Sequence, residues 1–203
     1  MELIENCTVQ ELLKFDPTKP VLPAAEIILI AIGAVMLNNV IYMVGMKYFM
    51  PKDMSKKIDE EYDEDLQDKG VSPLIYGFSE MINSGIYAPI VEELFFRFLF
   101  LKMILIKMCK IKFDKANIIH AVIFGGLHMT NAVISDQQIN RTIVQSIMAG
   151  IGGLIAGYTY KYTNSIFTPL LSHFINNMIA AGHEVIDYAK TYAIIKETFK
   201  INF

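Results

Sequence analysis

The sequence predicts an all-α protein, a polytopic bundle of about five to six membrane-spanning helices that enclose a polar cavity. Hydrophobic residues make up 53% of the 203-residue chain and charged residues 19%, a balance too apolar for an ordinary soluble domain. Several apolar runs reach the roughly 20 residues that a helix needs to cross a bilayer. Ionisable and amide side chains interrupt these runs, and such residues usually face a cavity lined by protein. The sequence therefore indicates a membrane protein with an internal polar site.

Composition divides the chain into four predicted parts. Residues 1–21 form a polar N-terminal lead, and residues 22–72 contain the first apolar span followed by an acidic loop. Residues 73–187 form a helical core, and residues 188–203 form an interfacial C-terminal tail. Because acidic residues occur in the lead before any apolar run, we do not interpret it as a cleaved signal peptide.

The first span extends from about Leu22 to Met50 and contains two adjacent amides, Asn38 and Asn39. Such side chains can hydrogen-bond to a neighbouring helix, and Asn176 in the last span is interpreted in the same way. Residues 51–70 contain eight acidic and four basic residues. We expect this segment to be a solvated loop or a surface helix.

The next apolar stretch, residues 74–108, is predicted to form two helices. We expect the first from about Leu74 to Asn83, a break near Ser84 and Gly85, and a span from about Ala88 to Met108.

Three further spans are predicted after a basic connector. Residues 107–115 contain four lysines, so the positive-inside rule predicts that this connector is cytoplasmic. The spans run from about Ala116 to Val133, from Thr142 to Tyr160 and from Ile166 to Ile186. Glycines in the middle one of these spans form a small-residue face that allows another helix to approach closely.

The most concentrated group of charges inside an apolar run is Glu92, Glu93 and Arg97. Glu93 and Arg97 are four residues apart, so they share a helix face and can form an ion pair. Glu92 points about 100° away at the α-helical pitch. One carboxylate can therefore be neutralised by the arginine while the other is left for chemistry. The alternative is a buried pair that only holds helices together.

Two further polar groups occur in later spans. His128 follows Phe124 by four residues, although a single histidine on an apolar helix is more often a packing residue, as we interpret His120. His173 and Asn177 are also four residues apart and share one helix face. The alternative for this second pair is a polar contact between helices.

Together these side chains form a set suited to amide hydrolysis. Glu92 could act as general base on a water, and His128 could orient that water or share its proton. His173 and Asn177 could donate hydrogen bonds to the oxyanion that forms when a peptide carbonyl is attacked. The set suggests no activated serine or cysteine, so we predict direct attack by water in a polar catalytic cavity.

The same residues resemble a known protein family. The order Glu-Glu-x-x-x-Arg, Phe-x-x-x-His and His-x-x-x-Asn, between about Tyr87 and Ala180, is similar to the CAAX prenyl protease and bacteriocin-processing (CPBP) family, also called the Abi family. Phe98 stands where that family has a glycine after the arginine, a packing change that should leave the chemistry unaltered.

The resemblance implies an intramembrane endopeptidase, and it implies roles for individual residues. The implied catalytic residues are Glu92, His128, His173 and Asn177. The implied supporting residues are Glu93, Arg97 and Phe124. The family has been described both as metalloproteases and as metal-independent glutamate-dependent proteases. The chain lacks a His-Glu-x-x-His pair, which favours the metal-independent description, and a zinc ion, if present, would be held by Glu92, His128 and His173.

The expected substrate is a peptide or protein at the membrane, either prenylated or a bacteriocin precursor. The expected setting is the lipid bilayer of a bacterial plasma membrane, and the net charge of −3 gives no reason to expect nucleic acid. Two alternatives stay open. One is a non-enzymatic immunity or scaffold protein that uses the same polar core to bind a partner. The other is a proton or ion transporter, because buried carboxylates and histidines also form relays.

Overall fold

The computed structural model describes residues 12–49, 73–134 and 139–199, which form an all-α helical bundle without strands in these ranges. The α-helices are α1 (Ala24–Phe49), α2 (Pro73–Glu80), α3 (Ala88–Glu93), α4 (Phe113–Leu127), α5 (Asn131–Ile134), α6 (Ile139–Thr163) and α7 (Phe167–Phe199). Two π-helical segments, Met81–Tyr87 and Leu94–Met108, and a 3₁₀ turn, His128–Thr130, lie between them. The predicted acidic segment 51–70 lies outside the described residues.

The predicted break near Ser84 and Gly85 is wrong. The backbone stays helical from Pro73 to Met108, because a π-helical segment joins α2 to α3 and another follows α3. Gly85 is buried within the first of these π-helical segments. Such π-helical turns within α-helices often occur at functional sites. Both carboxylates of the charged group lie in α3, between the two π-helical segments.

Among the described residues, three helices are long and apolar enough to cross a membrane, judged by length and composition. They cover Ala24–Gly45, Phe113–Ile134 and Ile139–Thr163. The helical stretch Pro73–Met108 and helix α7 carry most of the polar side chains predicted for the site. The predicted count of five to six spans stays a prediction. Helix α7 also runs past Ile186, the predicted end of the last span.

Glycines bring α4 and α6 together, as predicted for the small-residue face. A Cβ atom on Gly125 would lie 2.6 Å from the Ser146 carbonyl oxygen and 2.9 Å from Cα of Gly150. Gly126, the next residue, has open space around its Cα. Asn117 of α4 packs directly against Gly157 of α6. The close contact between the two helices therefore depends on Gly125 and Gly157, whereas Gly126 does not contribute to it.

The amides of α1 and α7 form the predicted contact between helices. Asn39 donates from Nδ2 to the Asn176 Oδ1 atom at 3.2 Å and to the Val35 carbonyl at 2.9 Å. A hydrogen bond between amides compensates for removing both from water within an apolar bundle. Helix α1 is therefore fixed next to the segment of α7 that contains the site residues.

The described part of the N-terminal lead is fixed to the turn between α6 and α7. Asn164, in this turn, has a left-handed backbone with φ of 55°. Its Oδ1 atom accepts from the Asp16 backbone N–H at 2.6 Å, and its Nδ2 atom donates to the Asp16 and Lys19 carbonyls, each at 2.9 Å. Phe15 packs edge-on against the Tyr160 ring, with centroids 5.3 Å apart. These contacts hold the lead across one end of the bundle.

Candidate active site

A buried carboxylate at the end of α3 joins two helical elements. Glu93 is 1% exposed, and its Oε2 atom lies 2.9 Å from Nε of Arg97, which is equally buried. Its Oε1 atom lies 2.8 Å from Nδ1 of His173 in α7. The predicted ion pair between Glu93 and Arg97 is thus present, and the histidine contact was not predicted. An ion pair with an added hydrogen bond offsets the desolvation of the charges.

The contact with Glu93 determines which nitrogen of the His173 ring carries the hydrogen. An ionised carboxylate only accepts hydrogen bonds, so the Nδ1 atom of His173 carries the hydrogen in this contact. The other ring nitrogen, Nε2, then faces away from Glu93 with a lone pair when the ring is neutral. Glu93 therefore fixes both the orientation and the tautomer of His173.

Glu92 lies on the other side of the same imidazole. Its Oε2 atom is 3.8 Å from Nε2 of His173, too far for a direct hydrogen bond. That oxygen is buried and lacks a hydrogen-bond partner among the described residues. The Glu92 side chain as a whole is 29% exposed, whereas that of Glu93 is 1% exposed. Because Oε2 itself is buried, a water that reaches Glu92 has to approach the exposed part of its side chain.

The Phe124 ring lies at the centre of the site. The Arg97 guanidinium carbon lies 4.6 Å from the ring centroid, which is cation–π geometry. The ring also packs edge-on against His128, with centroids 4.9 Å apart, and against His173, at 6.3 Å. Phe124 thereby separates and spaces the two histidines.

His128 lies at the end of α4, where the helix tightens into a 3₁₀ turn. Its Nδ1 atom is 2.9 Å from the Phe124 carbonyl oxygen, so this nitrogen carries the hydrogen and Nε2 is the other, available nitrogen. His128 is connected to the group around Glu93 through the Phe124 ring. The four-residue spacing of Phe124 and His128 thus explains the backbone contact as well as the ring contact.

Asn177 contacts a different part of the long helical stretch. It donates from Nδ2 to the Ser84 carbonyl at 2.6 Å, in the π-helical segment Met81–Tyr87. Both His173 and Asn177 therefore face the stretch Pro73–Met108, as their spacing predicts for one helix face. The amide lies one helical turn from His173, and its hydrogen bond goes to the backbone carbonyl of Ser84.

The residues proposed as zinc ligands are not arranged as a set. Within the described ranges, no group of three His, Cys, Asp or Glu side chains is positioned to hold a metal ion. Glu92 and His173 are neighbours, whereas His128 is linked to them through Phe124. The residues present do not fit a three-ligand zinc centre in this arrangement, and metal dependence stays a prediction.

His120, predicted to be a packing residue, lies inside the bundle. Its side chain is fully buried, with its ring parallel to that of Phe124. Asn117, His120, Phe124 and His128 follow one another at spacings of three or four, so they form one stripe on α4. This stripe places His120 beside the site residues.

Comparison with known proteins identifies one family. The family model for Rce1-like type II CAAX prenyl endopeptidases matches residues 75–179, just over half of the chain. The matched range contains every predicted site residue and excludes α1 and the N-terminal lead. No curated protein and no solved structure matches the chain.

Proposed function

Since the chain belongs to the family of Rce1-like type II CAAX prenyl endopeptidases, we propose that it is an intramembrane endopeptidase that uses Glu92 to activate water. The family is a protease family whose substrates are membrane-associated peptides or proteins, and the candidate spans make the chain an integral membrane protein. The observation that carries the proposal is the 3.8 Å separation between Glu92 Oε2 and His173 Nε2.

In the proposed reaction, Glu92 removes a proton from a water held between its carboxylate and His173. The resulting hydroxide forms a bond to the carbonyl carbon of the scissile peptide, and the carbonyl oxygen becomes an oxyanion. The tetrahedral species collapses as the C–N bond breaks, and the leaving nitrogen takes the proton back from Glu92. Water is thereby divided between the new carboxyl and amino ends, without a covalent enzyme intermediate.

The other site residues are proposed to prepare this step. Glu93 and Arg97 hold His173 in one orientation, so that its Nε2 atom faces Glu92. His128 presents its own Nε2 atom from the far side of Phe124, and because Nδ1 carries the hydrogen, Nε2 is proposed to accept a hydrogen bond from the water and so orient it. Asn177 has a second Nδ2 hydrogen beyond the one that it donates to Ser84, and this hydrogen is proposed for the developing oxyanion.

The proposed substrate is the prenylated C-terminal segment of a membrane-associated protein, since this is the substrate that the family description names. Processing of a bacteriocin precursor, or self-immunity, is the second proposed role. We propose the bacterial plasma membrane as the location, with the lysine-rich connector at 107–115 on the cytoplasmic side. The reaction is proposed to proceed without a metal.

The purified protein in liposomes provides a direct test. A farnesylated C-terminal peptide is incubated with wild-type protein and with Glu92→Ala, and the products are identified by mass spectrometry. We expect a single cleavage near the prenylated cysteine with wild-type protein only. Equal cleavage by folded Glu92→Ala would reject the assignment. Cleavage of an unprenylated precursor peptide instead would favour the bacteriocin role, and proton flux without any cleavage would favour a transporter.

A further inference from the structure

The lysine-rich connector between the long helical stretch and α4 is anchored by its apolar residues. Ile111 and Phe113 pack against the buried apolar cluster around Leu105, and the Ile111 backbone N–H donates to the Leu105 carbonyl at 3.0 Å. Lys110 and Lys112 alternate with these two residues along the chain, and both are exposed. The connector therefore holds its apolar side chains against the bundle and leaves its charges on the surface.

A lysine from another helix joins these charges. Lys161, in the last turn of α6, is exposed, and its Nζ atom lies 4.1 Å from the centroid of the Phe113 ring, which is cation–π geometry. The Tyr158 ring packs against the same phenylalanine, with centroids 5.3 Å apart. Lys115, in the first turn of α4, is exposed as well. Phe113 thus brings together a lysine cluster that consists of Lys112, Lys115 and Lys161.

Positive charge is concentrated at this end of the bundle. The N-terminal lead reaches it through Phe15, whose ring centroid lies 5.6 Å from that of Phe113, and α1 begins there, since the Leu22 N–H donates to the Thr163 carbonyl. Residues 12–26, 107–115 and 158–164 together contain seven lysines and three acidic residues. Residues 128–134 and 139–145, at the opposite ends of α4 and α6, contain Arg141 and no lysine.

The acidic groups at this end are already in polar contacts. The Asp114 Oδ1 atom accepts a hydrogen bond from the Tyr158 hydroxyl at 3.3 Å. Asp16 forms an ion pair with Lys19, with Nζ and Oδ2 3.4 Å apart. Neither contact involves a member of the lysine cluster, so the cluster keeps its net positive charge.

The lysine cluster also lies at the depth of the lipid headgroups. One candidate span begins at Phe113 and another ends at Thr163, so the cluster marks the same end of both. Tyr158 is 45% exposed and Tyr162 is 74% exposed. Tyrosine is enriched where the apolar part of a bilayer meets its headgroups. Exposed lysines at this depth are attracted to negatively charged lipids.

We propose that Lys112, Lys115 and Lys161 form a docking surface for the headgroups of anionic phospholipids, and that Phe113 organises this surface by holding Lys161 beside the other two lysines. The charges of the two partners are complementary, and lysine ammonium groups donate strong hydrogen bonds to phosphate oxygens. Headgroup binding requires no catalytic residue, so this inference does not rest on the proposed protease function.

Tryptophan fluorescence can measure which lipids occupy this surface. The chain contains no tryptophan, so a single one reports on a single place. Tyr162→Trp puts the reporter next to the cluster. Tyr48→Trp puts it at the far end of α1, where the Lys47 Nζ atom lies 5.1 Å from the Tyr48 ring centroid. Each protein is reconstituted in phosphatidylcholine vesicles that contain brominated phosphatidylglycerol or the same amount of brominated phosphatidylcholine, and the quenching of the two is compared.

We expect the Tyr162→Trp reporter to show a preference for phosphatidylglycerol of about fivefold or more, since one lysine near an anionic surface contributes about that factor. The Tyr48→Trp reporter should show a clearly smaller preference. Equal preferences at the two reporters, or none at Tyr162→Trp, would overturn the docking surface.

Lysine variants of the Tyr162→Trp protein test which side chains are responsible. Lys112→Gln combined with Lys161→Gln should lower the preference to less than about twofold, whereas Lys161→Arg alone keeps the charge and should retain it. Lys47→Gln, which removes an exposed lysine from an aromatic ring at the far end of α1, is the matched control and should change nothing. An unchanged preference in the double variant would overturn the proposal. Loss of the preference on addition of inorganic phosphate at constant ionic strength would do the same, because it would show a site for soluble anions.

Discussion

The Nδ1 atom of His173 lies 2.8 Å from Oε1 of Glu93, a contact that connects residues separated by 80 positions in the chain. The same carboxylate holds Arg97 through its other oxygen, at 2.9 Å. Both oxygens of Glu93 are thus in use, because one contacts His173 of α7 and the other contacts Arg97 of the same helical stretch. Its neighbour Glu92 has an oxygen that lies 3.8 Å from the opposite nitrogen of the imidazole and has no hydrogen-bond partner in the part of the chain that the structure describes. The two adjacent carboxylates therefore occupy different environments, and we expect them to have different functions.

Removing the charge of Glu93 should destabilise the protein. Glu93→Gln leaves the Arg97 guanidinium buried without its counter-ion, and breaking a buried pair in this way costs about 3–5 kcal/mol. The free energy of unfolding in mixed micelles measures the effect. Glu26→Gln, an exposed glutamate in the first turn of α1, is the matched control and should leave that free energy unchanged.

A double variant separates loss of charge from loss of packing. Glu93→Gln combined with Arg97→Met removes both charges, so most of the lost stability should return. If the double variant is less stable than Glu93→Gln alone, the pair contributes mainly through packing of the arginine stem, and the electrostatic explanation is wrong.

Gly125 should not tolerate a side chain, whereas Gly126 should tolerate one. A Cβ at Gly125 meets backbone of α6 at 2.6 Å, so Gly125→Ala must push α4 and α6 apart. Overpacking of this kind costs about 1–3 kcal/mol or more, because backbone cannot move aside as a flexible side chain can. Gly126→Ala, with open space at that position, is the control. Thermal unfolding of the two variants in the same detergent provides the comparison, and equal midpoints would contradict the close helix contact.

Asn164 should hold the N-terminal lead in place. Asn164→Ala removes the hydrogen bonds to Asp16 and Lys19 and places alanine in a left-handed conformation that asparagine tolerates better. Trypsin should then cleave after Lys14 faster than in wild-type protein, whereas Lys19 is followed by Pro20 and is not a trypsin site. Asn164→Gly, which relieves the backbone but not the lost hydrogen bonds, should show the same acceleration. Asn83→Ala, another amide in a polar contact, serves as control.

Several of these relationships could be predicted from sequence and others could not. The spacing of Glu93 and Arg97 predicts their ion pair, because residues four apart on a helix are neighbours whatever surrounds them. The apolar runs likewise predict the helices of the bundle, because their length and composition can be read from the local sequence alone. The contact between His173 and Glu93 depends on how two distant helices pack, and no local spacing rule reports it.

The continuous helix through Gly85 shows a second limit of sequence reasoning. Glycine is a reasonable signal for a break, but Gly85 lies buried inside a continuous helical stretch. The polar lead likewise offers no sequence signal that Asn164 would bind it.

Metal removal is expected to leave the activity intact. No three ligating side chains are assembled within the described ranges, and the proposed water is activated by Glu92. Dialysis of the purified protein against a strong chelator should therefore leave the rate of peptide cleavage unchanged, with metal content checked by mass spectrometry. Loss of cleavage that is restored by zinc, and not by magnesium, would contradict this expectation.

The division of roles between Glu92 and Glu93 is the central claim, and the cleavage rate of Glu92→Gln tests it most directly. This variant keeps the size of the side chain and leaves the Glu93–Arg97–His173 contacts in place. We predict that kcat for the prenylated peptide falls about 10²–10⁴-fold, the usual contribution of a general base, while the unfolding midpoint stays at the wild-type value. A folded Glu92→Gln protein that cleaves the peptide at nearly the wild-type rate would contradict the account.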